Sequence, residues 1–274
     1  MVHQYDIDRI DNRSPERIRQ LAWWAENILA PYHRAEVRGL QHIPAGAALF
    51  VGNHNSASYS PDTWIFGAAV FRAHGLEAVP YGLGHELILR TPLLNQVLVP
   101  LGGVRASHEN AHRIFSAGMK ALVYPGGDFD AMRPFRDRNR IVFGGRRGYV
   151  RLALRESVPI VPVVAAGAHS TFLIVDDLRW LAELIGAPRW ARSKVWPLTV
   201  CLPWGMTLGP LIPYFPLPSK ILIEVLPPVH FLPSGARAAQ NDDHVAACAE
   251  RLEGTMQRAL DRLAAERARL TRWP

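Results

Sequence analysis

His54 is well placed for acid–base chemistry, because it follows the apolar run Ala48-Leu49-Phe50-Val51 with only Gly52 and Asn53 between. That run reads as a buried strand. A few residues on, Ser60-Pro61-Asp62 reads as a helix start. Serine suits the N-cap, proline the first helical position and aspartate the positive end of the helix dipole. Imidazole titrates near neutrality, and a carboxylate held beside it can fix its tautomer. A histidine displayed where a strand ends and a helix begins is therefore fitted to take a proton. The plainer alternative is a histidine that bonds backbone in a turn.

The elements that position such a residue must come from a chain of 274 residues, long enough for a sizeable core. Apolar residues make up 49% and charged residues 20%, which excludes global disorder. Two cysteines, Cys201 and Cys248, are too few for a disulfide framework and suggest a reducing compartment. The stretch Met1 to Arg13 is charged and lacks the apolar centre of a signal peptide. A net charge of +7 favours polyanionic partners: anionic lipid, phosphorylated cofactors or nucleic acid. No nucleic-acid-reading module is evident, so the charge points to an anionic membrane surface rather than to nucleic acid.

Read along the chain, Ser14-Pro15-Glu16 opens a helix with Ile18, Leu21, Ala22, Ala25, Ile28 and Leu29 on one face, widened by Trp23 and Trp24. It either packs on its own core or anchors at a membrane interface. Strands are expected at Ala48–Val51, Leu76–Tyr81, just after Gly102-Gly103, Ala121–Tyr124, Pro159–Ala165 and Ile221–Leu226. Helices are expected from Pro61, from Thr91, over Ser107–Ala117, over Gly148–Glu156 and over Asp243–Leu270. On the last of these, Val245, Cys248, Leu252, Met256, Leu260 and Leu263 form one core-facing stripe. The alternation predicts an α/β fold, one domain whose largely parallel sheet is covered by helices. Its parts are an N-terminal helical segment (1–35), a catalytic core (37–230) and a C-terminal helix (241–272).

One span breaks the pattern. Val195 to Pro218 carries Trp196, Trp204, Tyr214 and Phe215 with almost no charge, and prolines at 197, 203, 210, 213, 216 and 218. Those prolines forbid a continuous membrane helix. Two readings stand: a loop covering the core, or an amphipathic wedge touching lipid, with Arg189, Arg192 and Lys194 just before it.

Four blocks in order resemble the glycerolipid (lysophosphatidic acid type) acyltransferase superfamily. They are His54 with Asp62; Gly103-Val104-Arg105; Tyr124-Pro125-Gly126-Gly127-Asp128-Phe129-Asp130; and Val158-Pro159-Ile160-Val161-Pro162-Val163. The Pro-Gly-Gly form, Arg133-Pro134-Phe135 and Phe143-Gly144-Gly145-Arg146-Arg147-Gly148 are similar to the branch that includes monoacylglycerol and diacylglycerol acyltransferases. The resemblance implies transfer of a fatty acyl group from a thioester, acyl-CoA or acyl carrier protein, to a lipid hydroxyl, at the cytoplasmic face of a membrane. It implies that His54 is the general base and Asp62 orients it. Arg105, Gly126, Gly127, Asp130 and Arg133 would bind substrate, Asp130 tying down Arg133 or Arg105. Arg146 and Arg147 would hold coenzyme A phosphates. No metal and no further cofactor is expected, since a thiolate leaves without a strong acid.

Two departures matter. The family places the carboxylate five residues after the histidine, and here Tyr59 stands there; Asp62 is eight residues on. Either a longer turn still brings Asp62 to His54, or Ser58 or backbone takes that role. Gly126 stands where enzymes with phosphate-bearing acceptors carry glutamate, which tilts the acceptor toward a neutral or different lipid hydroxyl. Two rivals are a thioester hydrolase on the same site and a non-catalytic lipid-binding relative.

Overall fold

In the computed structural model, which describes residues 4–55, 59–190, 193–209 and 214–271, ten strands divide between two sheets. They are β1 (Glu36–Arg38), β2 (Ala48–Gly52), β3 (Tyr81–Gly84), β4 (Gly103–Arg105), β5 (Lys120–Val123), β6 (Ile160–Ala166), β7 (Leu173–Asp176), β8 (Leu198–Cys201), β9 (Gly205–Leu208) and β10 (Leu222–Val225). The larger sheet runs β1-β10-β6-β2-β5-β3-β4. Strands β6, β2, β5, β3 and β4 are mutually parallel, whereas β10 runs antiparallel to β6 and carries β1 with it.

Strand β2 is central, and all five of its residues are buried. A strand covered on both faces must be apolar throughout, so it reads as a run rather than an alternation. Phe50 and Ala48 face one layer with Ile18, Ala22, Ile65 and Phe66, from the helices Pro15–Trp24 and Pro61–His74. Leu49 and Val51 face the other with Ile114, Val150 and Leu252, from the helices His108–Ser116, Gly148–Glu156 and Asp242–Thr271. The terminal helix buries the whole predicted stripe, Val245 through Leu263. No helix among the described residues is long and apolar enough to cross a membrane.

Two expectations are corrected. Leu76–Tyr81 is not a strand: Leu76–Ala78 is one 3-10 turn, and β3 begins at Tyr81, after Pro80. Proline has no amide hydrogen for the ladder, so pairing starts beyond it. The proline-rich span is not a plain loop either, since it holds β8 and β9, which form a three-stranded antiparallel sheet with β7. Pro210 and Pro213 of that span, and Arg192 before it, lie outside the described residues.

The chain leaves β2 toward β3 on one side and leaves β5 toward β6 on the other. Adjacent parallel strands whose connections part in this way open a crevice beyond their carboxyl ends, where α/β sheets bind ligands. His54 follows β2, and Pro125-Gly126-Gly127 follows β5.

Candidate active site

The backbone around His54 is fixed before its ring is placed. Asn53 continues the β2–β6 ladder with its side chain, donating to the Ala165 carbonyl at 3.0 Å and accepting from the Ala165 amide at 2.9 Å. The His54 amide then donates to Asp130 Oδ2 at 2.5 Å, and its carbonyl accepts from Arg133 Nη1 at 2.7 Å. Arg133 and Asp130 are 1% and 0% exposed and pair at 3.0 Å. The remaining guanidinium donors reach Asn55 Oδ1 at 2.7 Å and the carbonyls of Asp137 and Arg138 at 3.1 and 2.9 Å. Every face of the buried cation is thus answered by oxygen, which a buried charge requires.

The imidazole lies tilted against the Tyr124 ring, 4.8 Å between centroids. Tyr124 reaches across the end of β2 because residue 52 is glycine: a Cβ there would stand 2.5 Å from the tyrosine ring. The Tyr124 hydroxyl pairs with Thr63 Oγ1 at 2.6 Å. His54 is half-buried as a residue, and its Nδ1 is buried without a hydrogen-bond partner among the described residues. Burial pushes the imidazole down to about 4, against a backbone contact from Asn55 and with the Arg133 charge adding to the fall. At neutral pH the ring is therefore neutral and can accept a proton.

Asp62 is 4% exposed, on the first turn of the Pro61–His74 helix. One of its oxygens accepts from Asn55 Nδ2 at 2.8 Å, and the other, Oδ1, is buried without a partner. Burial raises this carboxyl to about 6, with Asn55 and two first-turn amides pulling it back. The expected His54–Asp62 hydrogen bond is not formed: Asn55, absent from the sequence reading, holds the carboxylate instead. Ser58, the alternative orienting group, lies outside the described residues. Ser60 caps nothing with its side chain. It sits at φ 36° and donates to the Asn55 carbonyl at 3.0 Å, turning the chain so that Asp62 lies beneath Asn55.

The other expected residues separate. Asp130 and Arg133 are buried and bond the His54 backbone on its two sides, one at the amide and one at the carbonyl. Burial raises the Asp130 carboxyl against the pull of Arg133 and the His54 and Val142 amides. His169, unremarked in the sequence, supports the same network by bonding the Arg133 carbonyl at 2.8 Å, and burial holds its pKa well below the usual histidine value.

The glycines of the turn serve the chain's own packing. A Cβ on Gly126 would stand 2.3 Å from Asp130 Cβ and 2.4 Å from the Val142 carbonyl oxygen. Gly127, at φ 51°, lies against the Arg146 guanidinium. Arg146, expected to hold coenzyme A phosphates, bonds the Gly126 carbonyl at 2.7 Å and Asp128 at 2.7 Å, so its fork is occupied by the Gly126-Gly127 turn. Arg147 is exposed at the start of the Gly148–Glu156 helix.

Arg105 ends the edge strand β4, three strands from β2 or about 14 Å by strand spacing. Its guanidinium is held bidentately by Asp8 at 2.8 and 2.8 Å, so it ties the N-terminal segment to the sheet and is not brought to His54.

Two surface hollows, of about 370 and 470 Å³, lie elsewhere: one under the terminal helix beside Pro227, the other beside Lys120. Neither is lined by a residue of the His54 network. No group of three or more His, Cys, Asp or Glu among the described residues has metal-binding geometry. What the arrangement offers chemically is an imidazole that is neutral at physiological pH and so able to take a proton.

A family model described as Acyltransferase matches residues 34–166, which include the whole β2–β6 unit and the His54 network up to Ala165. An uncharacterized protein of Mycobacterium tuberculosis is 30% identical over 238 residues, 86% of this chain and 63% of that protein. A mouse protein named "DGAT1/2-independent enzyme synthesizing storage lipids" is 26% identical over 200 residues, 72% of this chain and 57% of its own length. The chain thus spans about three fifths of the curated relatives it matches. The crystal structure of the 1-acyl-sn-glycerophosphate acyltransferase PlsC of Thermotoga maritima superposes with a TM-score of 0.56 at 16% identity, over 94% of this chain and 81% of PlsC. Residues 34–166 of this chain thus match the acyltransferase family, on a fold shared with PlsC.

Proposed function

We propose that this protein transfers a fatty acyl group from a thioester, acyl-CoA or acyl carrier protein, to a lipid hydroxyl, working peripherally at the cytoplasmic face of a membrane. His54 is the general base. The observation that carries this reading is the asymmetry at His54: its amide and carbonyl are locked by Asp130 and Arg133, while its ring is neutral and its Nδ1 is left without a partner among the described residues.

In the reaction, His54 takes the acceptor hydroxyl proton as that oxygen attacks the thioester carbonyl. The tetrahedral intermediate collapses with loss of thiolate, and the imidazolium returns its proton to the departing sulfur. Asp62 lies in the same buried network with one unanswered oxygen, as His54 has one unanswered nitrogen. A shift that joins them on substrate binding lets the carboxylate stabilise the imidazolium. Two relatives support the lipid acceptor, one named for storage-lipid synthesis and one for 1-acyl-sn-glycerophosphate acylation. Gly126, packed against Asp130, leaves no carboxylate at the position that the resemblance links to phosphate-bearing acceptors.

The test is a panel of lipid acceptors with labelled acyl-CoA, run on the wild type and His54→Ala. Transfer should fall by about a thousandfold in the variant, the usual weight of a general base. Undiminished transfer would remove His54 from the mechanism, and fatty acid release indifferent to acceptor would make the protein a hydrolase.

A further inference from the structure

The small sheet departs from the usual arrangement of an antiparallel sheet, which turns polar residues to water, by presenting apolar residues on its outer face as well. In register across it, Leu173 pairs with Val200 and Val200 with Met206, while Leu198 pairs with Leu208. Four of these are exposed, Met206 at 70% and Leu208 at 57%. Val175 is exposed on the same strand as Leu173. The covered positions hold Ile174 and Cys201, packed with Phe172, and beside them Thr199, 1% exposed, which pairs its hydroxyl with that of Thr207.

The face is also graded along the strands. At the end where β7 finishes and β8 begins stand Lys194, Arg179 paired with Asp177, and Arg136 over Asp176. At the opposite end, the β8–β9 turn exposes Leu202 and Trp204, and Phe215, whose amide bonds the Leu202 carbonyl, is 69% exposed. From residue 195 to 219 there is no Asp, Glu, Lys, Arg or His. The Tyr32 hydroxyl bonds the Pro216 carbonyl at 2.6 Å, so the N-terminal helical segment, with Ile28 exposed, meets this tip.

We infer that the outer face of β7-β8-β9 and the β8–β9 tip enter the interfacial zone of a phospholipid bilayer. An apolar tip, an exposed tryptophan and a charged base that includes Lys194, Arg179 and Arg136 suit the change from acyl chains through the interface to the polar headgroups. A protein partner would not call for that gradient. The inference rests on the membrane-surface reading above and names the surface that makes the contact. It also joins the contact to the site: Tyr214 packs on Phe172 at 4.7 Å and on Tyr59 at 6.2 Å, and the Lys194 amide bonds Asp128 of the Gly127 turn.

Flotation with mixed phosphatidylcholine–phosphatidylglycerol vesicles tests it. The double variant Met206→Ser/Phe215→Ser removes apolar surface without adding charge, and its vesicle partitioning should fall by about tenfold or more. Transfer from a water-soluble short-chain thioester to a soluble acceptor should be retained. Leu93→Ser, at an equally exposed leucine on the Pro92–Leu98 helix, should partition as wild type. Wild-type partitioning by the double variant overturns the inference, as does a loss seen only with Leu93→Ser. So does a wild-type dimer that the double variant dissociates in sedimentation velocity. His54→Ala should float as wild type. If it also kept transfer, the catalytic reading would fall while the docking surface stood.

Discussion

The crevice end of the large sheet and the outer face of the small sheet break the same rule in opposite directions. Beside His54, Asp62, Asp130, Arg133 and His169 are buried and interlinked. On the small sheet, Met206, Leu208, Trp204 and Phe215 face outward. Ordinary folding drives each the other way, since charge avoids the interior and apolar surface avoids water. A buried charge is tolerated when every donor is met, as Arg133 shows. An apolar face is tolerated when something other than water covers it. Polar residues inside this protein hold the backbone of one histidine still, and apolar residues outside it mark where it meets its surroundings.

The sharpest way to break that contrast is Arg133→Met. It leaves Asp130 buried without its cation and should destabilise the fold by about 3–5 kcal/mol in denaturant unfolding. Adding Asp130→Asn should recover part of the loss. A double-variant cost equal to the sum of the two single-variant costs would show that the pair is not coupled.

Asp62 gives the next effect, and its sign is fixed by burial. Its folded pKa of about 6 lies above the unfolded value of 3.8. The stability this carboxyl contributes is thus fully present below pH 3.8 and lost as pH rises through about 6. Asp62→Asn removes that slope. Relative to wild type, the variant should gain up to about 3 kcal/mol between acid and neutral pH, read from melting curves across that range. A difference that shrinks with rising pH would mean the carboxylate already pairs with a cation in the folded state.

The smallest effect belongs to the apolar face. Met206→Ser/Phe215→Ser should change unfolding free energy by less than about 1 kcal/mol, because exposed side chains leave little packing behind. A loss comparable to that of Arg133→Met would show that these residues serve the core, and the contrast would collapse.

Much of the scaffold was legible locally. Strand β2 announces itself as an apolar run, and Pro61 sits at the first position of its helix as its fixed φ prefers. The terminal helix shows its stripe at helical spacing. The network behind His54 was only half legible. Its members lie 76 and 79 residues away in sequence, at Asp130 and Arg133, and substrate contact was expected of residues that in fact hold the backbone. The proline-rich span hid β8 and β9 because Leu198-Thr199-Val200-Cys201 turns its threonine inward, opposite to the pattern by which strands are read.

The sequence by itself determined which segments become strands and helices and that a histidine follows the central strand, because those depend on spacing over a few residues. It also carried the blocks that resemble the acyltransferase superfamily. Tertiary structure alone decided which charges meet and which face of a strand sees water. Both depend on strand order and sheet packing, which bring distant residues together and leave no trace in local spacing.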